Sequence, residues 1–272
     1  MEFCIVRMEN NNLQTNRITI KMDKGKTKLN INQLFLFLLF LLNVVFANKI
    51  KSLNLQYHYD FKREHPTATL EYYGTDKLGY WFLFSDINFD HTLKKGGASD
   101  FYFEIMRYFQ LIKINEINVT ATIQYNDGNF PIEYAWLAGV NFNNILIGPL
   151  NISTDLLLKK NYKLNVDWQW TVVWYSDFLN HKLVFNGYFD FWKNDNINSH
   201  WPDFSPEVKK TKYSFQWEPQ IGLQITPHWK IGSEWEISKG FIGSITGELA
   251  KKESYEYDKW YFLPTLFIQF NF

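Results

Sequence analysis

From residue 48 onward the chain alternates apolar and polar positions in one short segment after another. The clearest is Leu53-Asn54-Leu55-Gln56-Tyr57-His58-Tyr59-Asp60-Phe61, in which odd-numbered residues are apolar or aromatic and even-numbered ones polar. Successive side chains of a strand point to opposite faces, so a period of two predicts a strand with one apolar and one wet face. Similar segments follow at 67–73, 80–90, 101–109, 117–126, 133–142, 151–160, 165–175, 182–193, 212–223, 229–238 and 260–272, which makes twelve. Within them Val119, Ala121, Ile123 and Tyr125 alternate with Asn118, Thr120, Thr122 and Gln124. Val166, Trp168, Trp170, Val172 and Trp174 alternate with Asp167, Gln169 and Thr171, and Tyr213, Phe215 and Trp217 with Ser214, Gln216 and Glu218. Most have the roughly ten residues that a tilted strand needs to cross a hydrocarbon layer. No stretch past residue 47 has the apolar length of a transmembrane helix or a sustained helical period.

The direction of the apolar faces decides the fold class. A soluble lipocalin-like barrel or a β-sandwich would turn them inward, and so many large side chains would overfill such a core. Turned outward into lipid they fit, and closing the sheet removes the unpaired edges that lipid cannot satisfy. The expected fold is therefore all-β: a transmembrane, antiparallel, up-and-down barrel of about 12 strands. Connection lengths agree with it. The long ones, 91–100, 194–211 and 239–259, follow odd-numbered segments, whereas Gly74-Thr75-Asp76-Lys77 and Thr226-Pro227-His228 follow even-numbered ones. Short periplasmic turns and long external loops are the asymmetry of such barrels, with both termini in the periplasm. The brief 161–164 connection is the exception on the external side.

Ahead of the alternation lies a different kind of segment. Residues 34–42 are all Leu or Phe, Val44, Val45 and Phe46 extend the run to Ala47, and Lys21, Lys24, Lys26 and Lys28 precede it. A basic region, a short apolar core and a Val-Phe-Ala ending predict a secretory signal peptide cleaved after Ala47. Residues 1–47 are then leader and signal, with Met22 as the expected true start, and residues 48–272 form a single barrel domain. An uncleaved N-terminal anchor is the alternative.

Composition fits an inside-out protein. Aromatics make up 19% of the 272 residues, yet mean hydropathy is −0.29, too polar for a helical membrane bundle. Lys+Arg and Asp+Glu both total 28, so nothing in the charge points to nucleic acid as a partner. The one cysteine, Cys4, precedes the signal, which excludes disulfides, thiol catalysis and cysteine-held metal from the mature chain. There is no phosphate-cradling glycine loop, HExxH or paired-histidine spacing. We expect no catalytic site, no metal and no cofactor.

If the apolar parity faces lipid, the opposite parity lines the lumen. That assigns Asn54, Gln56, His58 and Asp60 inward from the first strand, and Asp86 and Asn88 from the third. Tyr102 and Glu104 come from the fourth, and Asn186, Tyr188, Asp190 and Trp192 from the ninth. The last strands add Ser214, Gln216, Glu218, Gln220, Glu234 and Glu236. A wet lumen needs polar residues whatever it carries. Carboxylates and amides beside stacking rings also suit a neutral polar ring compound such as a nucleoside or sugar. Arg107 shares parity with the lipid-facing Phe103 and Ile105, so it sits at the periplasmic rim or is shifted by a bulge. The chain ends with Leu266, Ile268, Phe270 and Phe272 on one face, which resembles the terminal signal read by the barrel-assembly machinery of the Gram-negative outer membrane.

Leu55-Gln56-Tyr57-His58-Tyr59-Asp60-Phe61, Gly187-Tyr188-Phe189-Asp190-Phe191-Trp192, Glu218-Pro219-Gln220 and Ile231-Gly232-Ser233-Glu234-Trp235-Glu236-Ile237 carry a resemblance over essentially the whole mature chain. It is to a family of uncharacterised outer-membrane β-barrel proteins related to the Tsx-like nucleoside-specific channels. The resemblance implies a twelve-stranded barrel and passive passage of nucleosides; no solute-contacting residue can be matched. The expected function is a narrow channel for small polar solutes in the outer membrane. Two alternatives stand beside it: a non-conducting barrel whose external loops, with Trp201, Phe204 and Tyr255, bind a partner, and an outer-membrane hydrolase.

Overall fold

The computed structural model describes residues 3–9, 12–18, 49–89, 97–128, 134–161, 165–193, 213–241 and 259–272. It divides into two compact units, 1–46 and 47–272. In the first, strands β1 (Phe3–Glu9) and β2 (Asn12–Ile18) pair antiparallel, from Phe3↔Ile18 to Glu9↔Asn12. The Leu/Phe run, Met22 and the expected cleavage position at Ala47 lie outside the described residues.

The second unit is a closed barrel of twelve strands. They are β3 (Lys49–Asp60), β4 (His65–Asp76), β5 (Gly79–Phe89), β6 (Ala98–Ile114), β7 (Ile117–Gly128) and β8 (Ala135–Ile147). The ring continues with β9 (Leu150–Asn161), β10 (Val166–Phe178), β11 (Leu183–Lys193), β12 (Tyr213–Gln224), β13 (Trp229–Lys239) and β14 (Trp260–Asn271). Each strand pairs antiparallel with its sequence neighbours, and β14 closes onto β3 from Thr265↔Asp60 to Asn271↔Asn54. Each of the twelve alternating segments is one of these strands.

Burial runs opposite to that of a soluble protein. On β3, Asn54, Gln56, His58 and Asp60 are 6%, 1%, 5% and 2% exposed, while Leu55, Tyr57 and Tyr59 are 43%, 52% and 43% exposed. Around the ring, Trp170, Trp217, Ile231, Leu266 and Ile268 are likewise exposed, and Thr120, Thr122, Asn141, Asp155, Ser214 and Ser238 are buried. At about 25 cal/mol per Å² of apolar surface, such an exterior is strongly disfavoured in water and favoured in hydrocarbon. Aromatic rings tile it: Trp168 contacts Phe191, Phe189 contacts Phe215, and Phe215 contacts Trp260, with centroids 5.5, 5.1 and 5.3 Å apart.

Connections differ between the two ends. Where β3 begins and β14 ends, strands are joined by the turns 77–78, 115–116, 148–149, 179–182 and 225–228. At the other end lie 61–64, 90–97, 129–134, 162–165, 194–212 and 240–259. Asn115 in the 115–116 turn has φ 53°, a left-handed conformation that asparagine accepts readily. The external-loop residues Trp201, Phe204 and Tyr255 lie outside the described residues.

Arg107 faces outward and no bulge displaces it, since it pairs in register with Trp81 and Ile123. It lies toward the short-turn end and is only 3% exposed. Its Nη2 donates to Asp76 Oδ1 at 2.8 Å, and its guanidinium packs over the rings of Trp81 and Phe109, 4.5 and 4.8 Å from their centroids. Trp81 Nε1 also donates to Asp76, at 3.1 Å. A charge on the lipid face is thus neutralised and capped by aromatic rings. Asp76→Ala should cost about 3 kcal/mol, because it strands a buried guanidinium, whereas the double variant Asp76→Leu with Arg107→Leu should lose far less. Urea unfolding followed by tryptophan fluorescence checks both.

Candidate channel lumen

Alternation makes the inward face, so each lumen residue is held by a strand locked to two neighbours. The described lumen has two unlike walls. One, from β5 to β10, is packed. Ala135, Leu137 and Leu157 form a buried apolar cluster. Nearer the short-turn end, Tyr80 and Tyr108 stack with centroids 4.3 Å apart. Tyr108 Oη donates to Asp155 Oδ2 at 3.2 Å, and Tyr80 Oη to Asn141 Oδ1 at 3.0 Å. Asn143 Nδ2 donates to Tyr80 Oη at 3.1 Å, and Asn141 Nδ2 to Ser153 Oγ at 2.7 Å.

The sequence-predicted residues come from both sides of the ring: Asp86 on β5 and Glu104 on β6, and the rest on β3 and β11 to β13. Asp86, Glu104, Asn186, Tyr188, Asp190, Glu218 and Glu234 are inward and half-buried, whereas His58, Asp60, Trp192, Gln216, Gln220 and Glu236 are inward and buried. Residual exposure inside a closed ring marks the first set as facing unfilled space in the lumen. Most of the acids are anchored by neutral donors. Thr69 Oγ1 donates to Asp86, Asn126 Nδ2 to Glu104 at 2.9 Å, Gln216 Nε2 to Glu218, and Gln220 Nε2 to Glu234. Tyr102 donates to Glu104, and Thr171 to Asp190. Neutral partners fix the position of these carboxyl groups.

The acids enter the lumen from several sides. Glu104 on β6 and Asp190 on β11 are nearly opposite in the ring, and Asp86 on β5 and Glu234 on β13 lie four strands apart. One cation and one imidazole lie among them. Lys159 Nζ lies 4.6 Å from the Trp192 centroid and 2.8 Å from Gln169 Oε1. His58 Nδ1 lies 3.7 Å from Glu234, and its Nε2 is 3.0 Å from Gln56 Oε1. At the short-turn end a cavity of about 310 Å³ opens between Ser52, Tyr175, His181, Val184, Gln224 and Asn271.

Residues 52–272 match the family model described as "Domain of unknown function (DUF5020)". The chain belongs to this family. No curated protein matches significantly. Among solved structures, the NanC porin superposes with a TM-score of 0.52 at 12% identity, covering 81% of this chain and 98% of that one. The KdgM porin gives 0.49 at 9% identity over 81% and 99%. Omp33 of Acinetobacter baumannii gives 0.37 at 13% identity over 81% and 97%. The likeness to NanC shows the fold, so the DUF5020 barrel has the architecture of outer-membrane porins.

Several lumen residues escape the alternation. Segment 80–90 is apolar on both faces, which hides Tyr80 among inward Phe82 and Phe84. Tyr108 shares the parity of Tyr102 and Glu104, so the same rule extended by two turns of the pleat finds it. Asp155 and Lys159 flank the inward Leu157, which blurs the pattern on β9. Arg63 lies in a turn, where parity carries no information.

The β11–β12 contact holds the centre of the acidic wall. Gly187 has φ 154°, and a Cβ there would meet the Glu218 carbonyl at 2.3 Å and the Trp174 ring at 2.7 Å. Glycine lets β11 lie against β12 while Trp174 covers the gap from outside. Gly187→Ala should therefore cost more than about 1 kcal/mol, since alanine cannot adopt the backbone without strain, with the loss read by urea unfolding of the refolded barrel.

Proposed function

We propose that this DUF5020 barrel is a narrow outer-membrane channel that lets small polar solutes pass by diffusion, with no chemical step, and disfavours anions. One observation carries the reading: Glu104 on β6 and Asp190 on β11 enter the lumen from nearly opposite strands, and both stay partly exposed. A constriction lined by carboxylates repels anions and admits neutral or cationic solutes. Within that class, neutral ring compounds such as nucleosides suit the wall best. Tyr102, Tyr188 and Trp192 offer rings beside the amides Asn126, Asn186 and Gln220, a combination of stacking and hydrogen bonding.

The placement in the cell follows the same logic. The apolar exterior takes outer-membrane lipid as its solvent, and the face of Leu266, Ile268, Phe270 and Phe272 is the segment offered to the barrel-assembly machinery. A second reading, a non-conducting barrel that binds a partner through its external loops, draws support from the tightly packed β5–β10 wall.

Planar-bilayer recording of refolded residues 48–272 separates the two. We expect small discrete openings, a cation-selective reversal potential in a salt gradient, and block by added nucleosides. Glu104→Gln with Asp190→Asn should lower the cation-over-anion permeability ratio by up to about tenfold, the factor that about 1.4 kcal/mol supplies. A folded, heat-modifiable barrel that never conducts overturns the channel and favours the loop-binding reading.

A further inference from the structure

Arg63 lies in the turn 61–64 at the long-loop end, yet its side chain enters the barrel and is 15% exposed. Its Nε donates to Asp60 Oδ2 at 2.6 Å, and its Nη2 lies 3.0 Å from Glu236 Oε2 on β13. The other Asp60 oxygen accepts the backbone N–H groups of Lys62 and Arg63, each at 2.7 Å. Asp60 therefore does two jobs: it folds the turn and aims the guanidinium inward. To reach Glu236 the arginine spans β14, because β3 and β13 are both neighbours of that strand.

Two carboxylates from two strands, Asp60 and Glu236, thus hold one guanidinium, whose planar fork suits more than one carboxylate at once. Glu218 on β12, Glu234 on β13 and Asp86 on β5 point into the same lumen. The turn itself does not require a cation at position 63, since the Asp60 contacts that close it use backbone N–H groups. A buried ion pair is a poor source of stability relative to apolar packing, so the position of this one in a water-accessible acidic lumen points to its charge.

We propose, building on the channel reading, that Arg63 sets the charge selectivity of this channel at its long-loop mouth. Its guanidinium offsets the acidic wall and occupies the place that a cationic solute would take. Cationic solutes enter only by competing with it. Without Arg63 the same wall becomes a strongly cation-attracting constriction with a vacant guanidinium-sized site. Lys159 enters the lumen separately, from β9, held over Trp192 beside Gln169.

The test uses residues 48–272 carrying Arg63→Ala or Arg63→Lys, with methylguanidinium as the probe. In planar bilayers Arg63→Ala should raise the cation-over-anion permeability ratio by about tenfold, equivalent to about 1.4 kcal/mol, and should increase unit conductance. Arg63→Lys should stay near wild type, and millimolar methylguanidinium should return Arg63→Ala toward the wild-type ratio while sodium at equal ionic strength does not. A heat-modifiable Arg63→Ala barrel with unchanged selectivity overturns the proposal, as does a change that neither lysine nor methylguanidinium restores. A wild-type barrel that does not conduct fails the channel reading instead. The vacant site is then read without current: methylguanidinium should raise the unfolding midpoint of Arg63→Ala but not of Arg63→Ala with Glu236→Gln, and the absence of that difference overturns the proposal on its own.

Discussion

The backbone hydrogen bonds between β14 and β3 are what the rest of this structure depends on. Hydrocarbon offers no donors or acceptors, so a spanning sheet is stable only when every strand has two neighbours. Closure by Thr265↔Asp60 through Asn271↔Asn54 gives the last strand its second neighbour. It also brings Asp60 beside Thr265, and through that strand beside Glu234, so the contact that seals the ring assembles the acidic wall.

Closure then dictates what each face must be. Every strand shows one parity to lipid and the other to an enclosed lumen, and the two environments make opposite demands. The outer face tolerates a charge only with help, and Arg107 shows what help means: a carboxylate partner and two aromatic rings. The inner face tolerates charge more easily, because acids there find hydroxyl and amide donors on adjacent strands. The same residue types therefore have different consequences on opposite sides of one sheet.

The lumen is not uniform, and its asymmetry shapes the functional reading. On the β5–β10 side, Leu137 packs with its apolar neighbours, Tyr80 bonds Asn141 and Tyr108 bonds Asp155. On the opposite side, acids are tethered by neutral donors and remain partly wet. Arg63 and Lys159 approach that acidic wall from different places, one from a turn and one from a strand. A passage of this kind is defined less by its width than by how its charges are balanced.

The period-two alternation determined the number of strands, their approximate limits and the parity of each, because pleat geometry leaves a strand only two faces. His58, Asp60, Glu104, Asp190, Glu218 and Glu234 were legible as inward for that reason alone. Alternation left Arg107 either at the rim or displaced by a bulge; the paired register decided that it faces outward, and the fold placed Asp76 at the end of β4 to neutralise it. Only the closed ring decided which inward residues meet. Glu104 and Asp190 are far apart in sequence and enter one lumen because the sheet curves round on itself. Arg63 was invisible in the pattern, since a turn has no parity. Its role as counter-ion exists only because barrel curvature carries β13 and its Glu236 within reach of the β3–β4 turn.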